Sequence, residues 1–512
     1  MQTSVSDAIA SPTVRVFDAV RALAFIGDLS MGQPTDHSLR TAWLAAQIAQ
    51  AAELGEAACV AVREASLLRW SGCTANAAGF ADALGDDVAS REAMLAGRPG
   101  WADPLEAQGG AETIITPLAQ IHCEVSGEVA RMLGLTIETQ TTLRHIFEAW
   151  DGSGFPDHLP GPAVPETVLV VAVAGDLEIL SRVYGVEQAL MLIAQRADKR
   201  YPARIVELAA RHAQQWMAAL DAQSEHDNDA TRADSLRTPA MDRQTTIELI
   251  ADVIDLKLPW MTGYSRAVAN TAAECAAHCS LDAQTCQRIY SAGLIHGIGR
   301  AAVSNTVWNV PSRLSTSAWE KVRLVPYWTA RAGGQTGTLA EAATLASHAY
   351  ERADGSGYFR GMAGAGLSLE ARILGASAAW VALRSARPWR EALSDDEAAG
   401  VLREEAAKGR WDADVVEALI ASGPAPKRAV QANTLVNATG HALGNPSANA
   451  RLSAREIDVL RAISKGASNK EAARELELSP STVRTHVENV FRKLECSTRA
   501  AATLKAAAMG VL

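Results

Sequence analysis

The chain has 512 residues, 48% of them hydrophobic and 5% aromatic, with a formal net charge of −10. That length suggests about three domains, and the sequence holds no apolar run of the roughly 18 to 20 residues that a membrane span needs. An acidic chain of this kind does not coat nucleic acid, but the charge is uneven: 11 Lys and Arg stand against 7 Asp and Glu between Arg451 and Leu512, so that stretch is +4 and the rest is −14.

The opening "MQTSVSDAIASPTVRVFD" lacks a basic segment followed by an apolar one, so it does not read as an export signal. Seven scattered cysteines, at 59, 73, 123, 275, 279, 286 and 496, show no close zinc spacing. A cytoplasmic location fits both features. Cys275 and Cys279, one helical turn apart, read as small packing residues.

Along the chain, "RTAWLAAQIAQAAEL", "CEVSGEVARMLGL" and "AGVLREEAAKGRW" carry helical periodicity. Alternating β-branched runs are few, so the fold class reads as all-α. Two stretches lose apolar periodicity and read as linkers, 221–244 and 423–450. They delimit domains at 1–220, 245–422 and 451–512.

The first two domains read as copies of one another. "FEAWDGSGFPDHLPG" from Phe147 and "YERADGSGYFRGMAG" from Tyr350 are similar throughout and lie 203 residues apart. Upstream, "DHSLRTAWLAAQIA" pairs with "GYSRAVANTAAECA", and "ASLLRWSGC" with "AGLIHGIGR", both at an offset of 227. The difference in offset places about 24 extra residues in the Gly/Ala-rich stretch 75–110 of the first copy. In both copies Asp-Gly-Ser-Gly suits a sharp turn, because Gly tolerates positive φ and Asp accepts backbone hydrogen bonds.

The order of these segments resembles the HD-GYP phosphohydrolases, in which HS, LLHDIGK, HP, HHERLDGSGYP and a late Asp succeed one another. In that family the histidines and aspartates hold two or three metal ions, usually iron or manganese, that activate water against cyclic di-GMP. Carried over residue by residue, the second copy retains His296 alone of seven ligands. It has Tyr264 for the first His, Gly297 for the Asp of HD, Arg300 for the following Lys, Val325 for the next His, Ala349 and Tyr350 for the paired histidines, and Ala378 for the last Asp. The first copy retains His37 and His122, and Asp176 falls near the last Asp position. Arg69 and Trp70 replace its HD pair, and Ile146 and Phe147 its HH pair. His145 and His348 stand out of register.

Alanine, valine and tryptophan offer a metal no donor, so neither copy is expected to bind a metal or other cofactor, and the chain is not expected to be an enzyme. The same replacements change a charged cup into an apolar one. His37, Arg69, Trp70, His122, Phe147, Tyr264, His296, Val325 and Tyr350 then form a candidate pocket for a small apolar or aromatic effector; equally, they simply fill the space. A divergent cyclic-di-GMP phosphodiesterase, or a receptor that binds that nucleotide without cleaving it, is the alternative.

The last segment reads as four short helices. Ser453 with Glu456 and Ser468 with Glu471 have capping-box spacing, and Ser479 with Pro480 suits an N-cap and first helical position. In the third helix Val483, Val487, Val490, Phe491 and Leu494 recur on one face. The opposite face offers Ser481, Thr482, Arg484, Thr485, Glu488, Asn489, Arg492 and Lys493, a set suited to bases and phosphates in a major groove. The segment resembles the LuxR/NarL (GerE-type) helix-turn-helix along its length, through Leu452-Ser453, Arg455-Glu456, Val459-Leu460, Gly466, Ser468-Asn469-Lys470-Glu471, Ser479, Thr482-Val483-Arg484, His486 and Lys493-Leu494.

That resemblance implies double-stranded DNA as partner, contacted through Lys470, Ser481, Thr482, Arg484, Thr485, Asn489, Arg492 and Lys493. It also implies a homodimer on a roughly palindromic site, paired through the fourth helix. The chain as a whole is expected to be a cytoplasmic transcription regulator, with the two copies as sensor or dimerisation body.

Overall fold

Helices dominate because the sequence marks their starts. In a computed structural model that describes residues 11–222, 232–335, 337–423 and 452–512, Thr136, Asp282, Ser368 and Ser394 each accept a hydrogen bond from the first turn of the helix they precede. The described strands are two of three residues each, so the all-α expectation holds. The linker expected at 423–450 lies outside the described residues apart from Gly423, as do 223–231 of the first linker and Arg451. The described part of the first linker is packed: Ala233, Leu236 and Met241 are buried in the main core, and Gln244 opens a strand.

The repeat recurs hydrogen bond by hydrogen bond. Asp28, near the end of helix Val16–Ser30, accepts from the backbone N–H and hydroxyl of Ser38 at 3.1 and 2.6 Å. Asp255, which ends helix Glu248–Asp255, accepts from the same groups of Ser265 at 2.8 and 2.7 Å. In each copy the carboxylate thereby fixes the start of the next helix, His37–Ala51 or Tyr264–His278. The sequence offset of 227 is preserved in space.

The copies are joined along their first helices and by a strand pair, in which Thr13–Arg15 runs antiparallel to Gln244–Thr246 with Thr13 opposite Thr246. One apolar core runs through both, from Val14 to Leu419. The 75–110 stretch adds a clamp to this seam. It forms helices Ala77–Leu84, Asp87–Leu95 and Asp103–Glu106. The guanidinium of Arg91 donates to Ser30 O, Cys73 O and Asn76 Oδ1 of the first copy. Asp87 reaches the second copy: its carboxylate lies 2.8 Å from Lys257 Nζ and accepts from Ser304 Oγ and Asn305 N at 2.9 and 2.6 Å. Although burial raises the Asp87 pKa, Lys257 and Arg91 outweigh it and hold the carboxyl below its ordinary range.

Both partners of the Asp87–Lys257 pair are fully buried, so removing one strands the other's charge away from water. Asp87→Asn is expected to cost about 3–5 kcal/mol in denaturant unfolding; a loss below about 1 kcal/mol would show that the clamp contributes little to holding the copies together.

Candidate functional site

The first-copy cup is closed by its own side chains. His37 Nδ1 bonds to Glu178, which also takes Arg40 Nε at 3.1 Å and Arg182 Nε. Burial works against the Glu178 carboxylate, but His37 and Arg182 hold it down at about 2. Arg69 turns inward with its guanidinium carbon 4.0 Å from the Trp70 ring centre. Gly175 makes that possible, since a Cβ there would lie 1.5 Å from Arg69 Nη1. Burial lowers the Arg69 pKa to about 10, which leaves it charged at neutral pH.

Aromatic rings fill the remaining space. Trp70 lies 6.5 Å from His37, 6.1 Å from His122 and 6.2 Å from Phe147, and His122 and Phe147 are 4.7 Å apart. His122 is tied by Nε2 to Arg69 O at 2.7 Å, and burial pushes its pKa down to about 3, so it stays neutral. Asp176 is engaged with Arg196, Arg200 and the Tyr201 hydroxyl.

The second cup follows the same principle with different residues. Arg300 Nη2 donates to His296 Nε2 at 2.7 Å, and Arg300 Nη1 lies 3.3 Å from Asp255 Oδ1. His296 Nδ1 bonds Gly293 O at 2.6 Å, so the proton sits on Nδ1 and the Nε2 lone pair faces the guanidinium. Burial, with the Arg300 charge added, lowers the His296 pKa to about 3. Tyr264 donates to Ala378 O at 3.0 Å, Tyr350 stacks on Tyr358 with centres 5.3 Å apart, and Val325 packs with Val303 and Val322.

The residues do not fit a metal. Each cup holds an arginine in its interior, the one retained ligand of the second copy already accepts from that arginine, and no group of three or more His, Cys, Asp or Glu placed to hold an ion occurs among the described residues. The nine side chains expected to line an effector pocket do gather, five in one copy and four in the other. They gather in contact with one another, and His37, Arg69, Trp70, His122 and His296 are almost wholly buried.

The Asp-Gly-Ser-Gly turns form as expected, with Asp151 accepting from Ser153 N at 3.0 Å and Asp354 from Ser356 N at 2.9 Å. Gly152 and Gly355 have φ of +82° and +79°. A larger part falls to two buried glutamates, 203 residues apart. Glu148 accepts from Asp157 N and Leu159 N at 2.7 and 2.9 Å, and Glu351 from Arg360 N and Met362 N at 2.8 and 3.0 Å. Their identical place in the two copies was the available signal.

In the last segment all three caps form as expected. Val483, Val487, Val490 and Leu494 are buried, and Phe491 is half-buried. Ser481, Thr482, Arg484, Thr485 and Arg492 are exposed on helix Pro480–Leu494, Asn489 is half-buried, and Lys470 is exposed on the preceding helix. Lys493 differs from the expected set: its ammonium lies 2.7 Å from Glu456, the glutamate of the first capping box.

Residues 248–415 match the family described as HD domain, and residues 450–506 match bacterial regulatory proteins of the luxR family. The 3'3'-cGAMP-specific phosphodiesterase 3 of Vibrio cholerae serotype O1 is 23% identical over 428 residues, 77% of this chain and 92% of that protein. The nitrate/nitrite response regulator protein NarP of Escherichia coli K12 is 45% identical over 53 residues, 10% of this chain and 25% of that protein. The crystal structure of a V. cholerae cyclic GMP-AMP-specific phosphodiesterase (V-cGAP3) shares the fold, with a TM-score of 0.58 at 22% identity over 80% of this chain and 98% of that one. No helix among the described residues is long and apolar enough to cross a membrane. The chain thus joins an HD domain to a C-terminal DNA-binding domain of the luxR regulator family.

Proposed function

We propose that this protein is a cytoplasmic transcription regulator whose two HD-type copies do no hydrolysis and act as a sensing and dimerising body. The arginine inside each cup carries the proposal. A metal pair neutralises a phosphodiester and lowers the pKa of the attacking water; a guanidinium supplies positive charge but cannot ionise water. Purified protein is expected to hold no stoichiometric iron or manganese and to leave cyclic di-GMP and 3'3'-cGAMP intact. Metal by elemental analysis together with turnover of either nucleotide would overturn the proposal.

The relative's specificity for 3'3'-cGAMP gives a second reading some support, that of a receptor which binds a cyclic dinucleotide through the arginines without cleaving it. Calorimetry with each nucleotide separates the two readings. For an apolar or aromatic effector, Tyr350→Ala is expected to abolish the effector's influence on DNA binding while the unfolding midpoint shows the chain still folded. An unchanged response places the effector elsewhere.

Double-stranded DNA is the proposed partner of the last domain, bound as a homodimer on a roughly palindromic site. Lys470, Ser481, Thr482, Arg484, Thr485, Asn489 and Arg492 form the contact face, and Lys493 joins it only by leaving Glu456. Arg484→Ala and Arg492→Ala are each expected to weaken binding and lower the salt slope by about one unit. Lys493→Ala should instead lower the stability of the domain. Salt slopes that stay put in both arginine variants would mean that DNA meets another face.

A further inference from the structure

The fourth helix, Arg499–Ala508, has both of its sides covered. Ala502 and Ala506 belong to the apolar core of the DNA-binding domain. Ala501 and Leu504, on another side, are fully buried in the core of the body. The body meets this helix with Ala111–Met132 of the first copy and Glu248–Asp255 of the second.

Polar contacts pin the domain from both copies. At the start of the fourth helix, Ser497 N and Oγ donate to the two oxygens of Glu124 at 2.6 and 3.1 Å, and Gln120 Nε2 donates to Ser497 Oγ at 3.2 Å. Further along, Lys505 Nζ lies 3.4 Å from Glu128, which is buried and also held by Arg131. On the side of the second copy, Thr262 Oγ1 donates to Ser464 O at 2.8 Å, where a Cβ on Gly466 would lie 3.2 Å from Pro259. The helix that carries Arg484 is left open, with that side chain 76% exposed.

We infer that the body holds the DNA-binding domain by its fourth helix, and that this docking excludes pairing of two DNA-binding domains through the same helix. The inference rests on the proposed DNA binding of residues 452–512. Ala501 and Leu504 can pack against only one neighbour at a time, and here that neighbour is the seam of the two copies. In the docked form the third helix is free to meet one half-site, but a second copy cannot join through the fourth helix. Pairing requires the domain to leave Glu124 and Glu128 at its fourth helix and Thr262 at Ser464. Because the seam is built from both copies, a change in how they sit against each other loosens the hold from one side or the other.

The test uses the full chain with Glu124→Lys and Thr262→Ala together, which removes the acceptor for Ser497 and the bond to Ser464 without altering the DNA-binding domain. Adding Ser497→Asp to that variant offers a new ion pair and serves as rescue. Duplexes are enriched from a random-sequence pool by the unaltered chain. Hydrogen exchange of 499–508 reads docking, and sedimentation reads the number of copies per duplex. The double variant is expected to exchange faster, bind two copies per duplex and bind at least about tenfold tighter, equivalent to about 1.4 kcal/mol; the rescue is expected to return all three readings.

Faster exchange with unchanged stoichiometry and affinity would overturn the inference, as would exchange that does not change. Failure of the unaltered chain and of both variants to enrich any duplex would instead remove the DNA-binding reading on which the inference stands.

Discussion

A guanidinium buried inside each copy is the interaction around which the body is organised. Removing a charge from water is costly unless it is paired and bonded. Arg300 meets that requirement with His296, Asp255 and the ring of Tyr264. Arg69 lies over Trp70 near Asp176, and its Nε and Nη1 have no hydrogen-bond partner among the described residues. The neighbours follow from this placement. Neutral His122 and His296, the bare backbone of Gly175 and the stacked tyrosines 350 and 358 are the groups that tolerate a fixed cation at close range.

The two copies do not stand as independent bodies. The strand pair, the common apolar core and the buried Asp87–Lys257 bridge all cross the seam between them. The extra residues of the first copy thereby acquire a physical role, because Arg91 binds the clamp to one copy and Asp87 binds it to the other. Packed groups thus run without a break from one copy to the other.

Much of this was legible in the sequence because short-range chemistry decides it. The capping boxes at Ser453 and Ser468, the valine stripe of the third helix and the Asp-Gly-Ser-Gly turns each depend on residues a few positions apart. The repeat was legible too, since its offset survives as paired hydrogen bonds at Asp28 and Asp255. What escaped were partners fixed only by folding. Arg300 reads as a replacement for the lysine of the motif, and it turns inward to His296. Lys493 reads as a phosphate contact, yet Glu456, 37 positions away, takes it. Glu148 meets the N–H groups of Asp157 and Leu159 only once the loop folds over it.

The same reasoning links the cups to the DNA-binding domain. Asp255, which pairs with Arg300, closes the helix Glu248–Asp255 that packs against the fourth helix of that domain. Thr262, nine residues before Thr271 on the next helix and two before its first residue Tyr264, bonds to Ser464. Asp255, the carboxylate partner of the second cup's guanidinium, and the second copy's part of the docking surface thus share one short run of chain, 248–264. Burial raises the Asp255 pKa to about 6 even with Arg300 beside it. Any ligand that drew Arg300 away would leave a buried carboxylate without its cation at the end of the helix that holds the DNA-binding domain in place.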